Sequence, residues 1–102
     1  MNVSTHVKNL TAPEKEQFET YLTKKVESLR KVLDARFPDE DTVQFQVNIQ
    51  KHEKHTAFEV EMKLTFPRSE PVVTQEVKHT ITESVDFAVE RIERQMMKHL
   101  KK

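Results

Sequence analysis

Apolar residues recur at spacings of three and four from Phe18 to Phe37, through Leu22, Val26, Leu29 and Leu33. That period is the buried face of an amphipathic helix. Its start is marked by Thr11-Ala12-Pro13-Glu14: Thr11 accepts a first-turn N–H, Glu14 reaches back, and the early proline loses no needed donor. The predicted helix runs to about Arg36. Pro38 and the acidic run Asp39-Glu40-Asp41 then end it in a solvated loop. Beyond that the period changes to two. Val43, Phe45, Val47 and Ile49 alternate with Gln44, Gln46, Asn48 and Gln50. Phe58, Val60, Met62, Leu64 and Phe66 alternate with Glu59, Glu61, Lys63 and Thr65. Both segments read as strands with one buried and one wet face. The charged segment Lys51-His52-Glu53-Lys54-His55 joins them as a hairpin.

Three further elements complete the chain. Asn2 to Val7 is short and β-branched and reads as a first strand. Val72 to Val77, after the Pro67–Pro71 turn, reads as a fourth strand whose facing the pattern leaves open; the prolines before it suit a sheet edge. Thr80-Ile81-Thr82-Glu83 reads as a second capping box. The helix it opens carries Ile81, Val85, Ala88, Val89, Ile92 and Met96 on one face and runs nearly to the end. The predicted fold class is α+β, with the order β-α-β-β-β-α: a four-stranded mixed sheet with two helices packed on one face. Strands one and two are predicted parallel and the other pairs antiparallel.

The chain has 102 residues, which suits one domain over 1–102. Composition removes several function classes. There is no cysteine, so disulfides, thiolate catalysis and cysteine-bound metals are excluded. There is no glycine either, and phosphate loops, dinucleotide fingerprints and nucleophile elbows need it. No nucleophile–base pair or cofactor loop can be assembled, so no enzyme and no cofactor are expected. No apolar run approaches the ~20 residues of a membrane span, and no secretory signal is visible, so the expected location is the cytoplasm. His52 and His55 have a His-x-x-His spacing, but zinc needs three or four ligands and the flanking Lys51 and Lys54 repel a cation, so no metal is expected. Glu59 and Glu61 share one face of a strand that faces solvent, which does not suit acid–base catalysis.

Charge is where the sequence points to a partner. Lysine plus arginine equals aspartate plus glutamate at 17 each, so a uniformly basic binder is excluded but a locally basic face is not. On the last helix Arg91, Arg94, Lys98, Lys101 and Lys102 fall within one stripe of roughly 100°, opposite the apolar stripe. Such a stripe is what any amphipathic terminal helix presents, and cations there also complement the helix dipole. It is equally a ridge that can displace counterions from a nucleic-acid backbone. Lys24, Lys25, Lys78 and His79, and Lys51 with Lys54 in the hairpin, are further cations that such a ridge could include. Singly each is an ordinary solvated charge; the case depends on their meeting in space.

The order of elements and several local matches resemble the ribosome hibernation-promoting factor and ribosome-associated inhibitor (protein Y) family. Leu10-Thr11 is similar to its helix entry and Tyr21-Leu22-Thr23-Lys24-Lys25-Val26-Glu27-Ser28-Leu29 to its first helix. Ser84-Val85-Asp86 resembles its small-apolar-Asp segment, and Ile92-Glu93-Arg94-Gln95-Met96-Met97-Lys98-His99 its Arg-Gln-Leu-x-Lys ending. The chain departs from the family at Thr82, where a tyrosine is usual, and at Thr5 and the Pro67–Pro71 turn, where glycines are usual. The resemblance implies a non-enzymatic, monomeric protein on the small ribosomal subunit at the decoding region. It implies inhibition of translation when growth slows, with no membrane or small-molecule partner. Carried over by position, the rRNA-binding candidates are Lys25, Lys51, Lys78, Arg94 and Lys98, with Lys24, His79 and Arg91 as neighbours. By length the resemblance is to the short form, without the C-terminal dimerisation domain of long members. The other reading of the same scaffold is a protein-interaction module that dimerises or pairs through an edge strand such as Val72 to Val77. A double-stranded-RNA module, α-β-β-β-α, lacks the first strand.

Overall fold

The computed structural model describes residues 1–39, 42–54 and 56–101. Six elements follow in order: β1 (Asn2–Lys8), α1 (Ala12–Arg36), β2 (Gln44–His52), β3 (Ala57–Thr65), β4 (Val72–Lys78) and α2 (Ile81–Leu100). The sheet order is β1-β2-β3-β4. β1 pairs with β2 in parallel; β2–β3 and β3–β4 are antiparallel. The predicted order, pairings and fold class therefore hold. The Glu40-Asp41 part of the acidic loop, His55 of the His-x-x-His pair and Lys102 of the basic stripe lie outside the described residues.

Register assigns every strand residue a face. Phe45 of β2 lies opposite Leu64, Val47 opposite Met62 and Ile49 opposite Val60, and all six are buried. Across the next ladder Leu64 meets Val72 and Met62 meets Thr74, both also buried. The facing of β4 is thereby settled: Val72 and Thr74 turn inward, Val73 and Val77 outward. The helices cover the inward face with Phe18, Leu22, Val26, Leu29 and Leu33 from α1 and Ile81, Val85, Ala88, Val89, Ile92 and Met96 from α2. Fully buried side chains of this size each stabilise the fold by roughly 1.5–3 kcal/mol. On the other face Gln44, Gln46, Glu61 and Lys63 are exposed to water.

The two helices run parallel, side by side. Tyr21 bonds Asp86, Ser28 bonds Glu93 and Arg36 bonds the Leu100 carbonyl, so matching positions lie 65, 65 and 64 residues apart. α2 packs over β3 and β4, and α1 lies toward β1, where Leu22 and Val26 line a groove with Val3 and Thr5. Both helix N-termini, the β2–β3 hairpin and the ends of β1 and β4 thus meet at one end of the domain.

Local signals behave differently at the two helix starts. Thr11 forms the full capping box with Glu14: the Glu14 N–H donates to Thr11 Oγ1, and the Thr11 N–H donates to the Glu14 carboxylate. The predicted second box is only half formed. The Glu83 N–H donates to Thr80 Oγ1, with no return bond from the Glu83 carboxylate among the described residues. Ser84 Oγ donates to the Thr80 and Phe58 carbonyls and so ties the helix start to β3. A chain without glycine must also supply left-handed backbone from other residues. Asn9 after β1 (φ 63°) and Arg68 in the β3–β4 turn (φ 64°) do so.

Candidate nucleic-acid interface

Lys51, Phe58 and Lys78 stand side by side on three consecutive strands, on the inward face at the end of the domain where both helices begin. Lys51 Nζ is 5.7 Å from the Phe58 ring centroid and 3.0 Å from Glu14 Oε2. Glu14 is therefore engaged twice, by the helix start and by a strand. The Thr11 backbone N–H, and after it Lys51, holds the Glu14 carboxyl below the usual glutamate range. His79 follows directly after β4 at this end, with its Nδ1 3.1 Å from the Thr56 carbonyl oxygen. Lys8, Lys51, His52 and Lys54 line one shallow depression beside them. His52 Nε2 is 3.4 Å from Glu59 Oε1. No group of three or more His, Cys, Asp or Glu is placed to hold a metal among the described residues.

From this end the cations continue along α2 on the flank that faces β4. Lys78 Nζ lies 4.3 Å from the Phe87 ring centroid. One turn further, the Arg91 guanidinium donates to Glu76 Oε1 at 2.8 Å and to the Gln75 carbonyl at 3.4 Å. Arg94 and Lys98, three and seven residues beyond Arg91, extend the same outer side and are exposed. Lys98 borders a shallow depression with Gln95, His99 and Lys101.

Lys24 and Lys25 lie across α2 from that flank, on α1. Lys25 Nζ sits 3.1 Å from Asp86 Oδ1 and 5.5 Å from the Tyr21 ring centroid, at the seam between the helices. Asp86 raises the Lys25 pKa through this hydrogen bond and its charge. Lys24, exposed, borders a depression with Pro13, Glu16, Thr20, Tyr21 and Thr82. The eight candidate cations therefore do not form one group. Lys78, Arg91, Arg94 and Lys98 follow one flank of α2, with His79 beside its start; Lys51 stands at the same end of the domain but turns to Glu14 of α1, and Lys24 and Lys25 lie on α1 across α2 from that flank.

Lys25, Lys51 and Arg91 each pair with a carboxylate, whereas Lys24, Arg94 and Lys98 make no ion pair among the described residues. These pairs lie at or near the surface, where solvent screens them, so an incoming phosphate can compete with them. The anion partners Glu14, Glu76 and Asp86 come from other elements, and no local pattern marks them as partners of these cations. Phe87 carried a signal: it is an aromatic inside the basic stripe and off the apolar face.

A family profile described as Sigma 54 modulation protein / S30EA ribosomal protein matches residues 3–102. The N-terminal domain of Protein Y from Thermus thermophilus superposes with a TM-score of 0.60 at 22% identity, covering 93% of this chain and 94% of that one. A ribosomal subunit interface protein from Coxiella burnetii superposes with a TM-score of 0.66 at 15% identity, covering 100% of both chains. At these identities the two structures speak to the fold alone. No curated protein matches in sequence. The profile match spans both helices and all four strands, the same extent as the resemblance read from the sequence. The chain belongs to the Sigma 54 modulation protein / S30EA ribosomal protein family.

Proposed function

We propose that the protein docks on the small ribosomal subunit at the decoding region and inhibits translation in slow or stationary growth. The observation that carries this reading is the family match over residues 3–102. The ridge from Lys78 through Arg91 to Lys98, with Lys51 at the same end of the domain, supplies a physical means. A net-neutral chain with one cationic ridge binds folded rRNA through its phosphates and orients itself as it docks. The protein acts in the cytoplasm as a monomer, by occupying the site rather than by catalysis.

The test is co-sedimentation of the purified protein with small ribosomal subunits at low and high salt. Saturable binding near one per subunit that weakens steeply with salt supports the proposal. No binding at low salt overturns it.

Exposed Val73 and Val77 on edge strand β4 favour a second reading, pairing with another chain through that edge. Arg91 weighs against it, because its guanidinium already occupies the Gln75 carbonyl on the open edge. Association that persists at high salt would favour the edge.

A further inference from the structure

We propose that Phe87 is a stacking platform for an unpaired RNA base. The site rests on the ribosome-docking reading and adds to it a contact with a base instead of a phosphate. Phe87 leaves 44% of its surface in water, while its neighbours on either side in α2, Val85, Ala88 and Val89, are buried. Its ring is held from one direction by the Lys78 ammonium at 4.3 Å. That cation–π contact fixes the ring against the end of β4 instead of letting it swing free. Glu76 fixes Arg91 one turn along, roughly 6 Å further on the helix axis. Arg94 and Lys98 follow at roughly 10 and 16 Å from Phe87 along that axis. An aromatic ring set in a row of cations matches a single-stranded or looped RNA segment: the base lies on the ring and the adjoining phosphates lie on the guanidinium and ammonium groups. Every base has a π-face, so the contact tolerates different sequences and suits a protein that recognises RNA by shape. The occupant is an RNA base because Lys78 touches the ring, and Lys78, Arg94 and Lys98 have no ion-pair partner among the described residues, while Glu76 is paired with Arg91. The exposed carboxylates Glu83 and Glu90, one turn to either side on α2, confine the adjoining phosphates to the β4 side of the ring, where Lys78 and Arg91 lie.

The experiment compares wild type with Phe87→Leu and Phe87→Trp for binding to small ribosomal subunits across a range of salt. Leucine keeps an apolar side chain under Lys78, and an unchanged urea midpoint establishes that the fold is intact. The chain contains no tryptophan, so Phe87→Trp places the sole indole at the site. The expected result is that Phe87→Leu binds roughly tenfold more weakly with an unchanged salt slope, since no phosphate contact is lost. Phe87→Trp binds like wild type, and its fluorescence is quenched by the stacked base. If wild type binds but Phe87→Leu binds equally well and the Phe87→Trp indole is unquenched, the stacking site is overturned while the docking reading stands. If wild type does not bind at low salt, the docking reading falls and the stacking site falls with it.

Discussion

The Tyr21 hydroxyl, on α1, lies within hydrogen-bond distance of both carboxylate oxygens of Asp86 on α2, at 2.7 and 2.9 Å. Together with the Lys25 contact to the same carboxylate, this bond fastens the two helices at the seam. The hydrogen bond to Asp86 comes first, then burial, in pushing the Tyr21 pKa above its usual value. Only the neutral phenol can donate, so the bond's contribution is complete below the ordinary tyrosine pKa of about 10 and fades as pH rises through the raised one. Tyr21 is the sole tyrosine, so phenolate absorbance reports it alone. Its titration midpoint is expected above the ordinary value in the wild type and back toward it in Asp86→Asn. Tyr21→Phe is expected to lower stability by about 1 kcal/mol in urea unfolding.

Glu14 gives the opposite sign. Its folded pKa is lowered by the Thr11 backbone N–H and by Lys51, so its contribution is present above the ordinary glutamate pKa of about 4.3 and is lost as pH falls through the lowered value. Urea unfolding between pH 5 and 3 is expected to show a loss of stability in the wild type that Glu14→Gln lacks. Thr11→Ala, which removes the cap itself, is expected to cost about 1 kcal/mol at neutral pH.

What the sequence revealed and what it hid divide along one physical line. A face built from residues three and four apart, such as Phe18, Leu22 and Val26, is a local pattern, and so is the alternation from Phe45 to Ile49; both were readable. The facing of β4 was not, because Val72-Val73-Thr74 has no clean alternation and only the ladder opposite Leu64 and Met62 turns Val72 and Thr74 inward. The second box at Thr80 is half formed, and the helix start is tied instead by a tertiary bond, from the Ser84 hydroxyl to the Phe58 carbonyl, that no local pattern marks. The cations were readable as a stripe on α2. That Lys78 and Arg91 meet on one flank of α2, while Lys51 turns to Glu14 and Lys25 to Asp86, follows from contacts between distant elements.

The two left-handed residues separate by chemistry. Asparagine visits that region readily, whereas for arginine it costs roughly 1–2 kcal/mol. Arg68→Gly is expected to raise stability by up to about 1 kcal/mol once the greater freedom of glycine in the unfolded chain is deducted. Asn9→Gly is expected to change it by less than about 0.5 kcal/mol. Urea midpoints at an unchanged m value measure both. A stabilisation at Asn9 equal to that at Arg68 would show that side-chain identity does not govern the cost.

Arg94 and Lys98 provide the sharpest test of the ridge, because neither makes an ion pair among the described residues and both are exposed. Reversing them therefore breaks no internal contact, unlike reversing Arg91, which would set two carboxylates side by side at Glu76. The double variant Arg94→Glu/Lys98→Glu is expected to keep wild-type circular dichroism while losing roughly 1 kcal/mol in urea unfolding, since it removes two cations that complement the helix dipole and sets like charges four residues apart with Glu90. Its binding to small ribosomal subunits is expected to fall by about tenfold or more near 0.1 M salt. The slope of log affinity against log salt should shrink by about two, one for each phosphate contact removed. Reversing Lys24 alone, across α2 from the ridge, is expected to leave both quantities nearly unchanged. Unaltered binding by the double variant would exclude this flank of α2 as the contact surface, and a loss on reversing Lys24 would move the surface to α1.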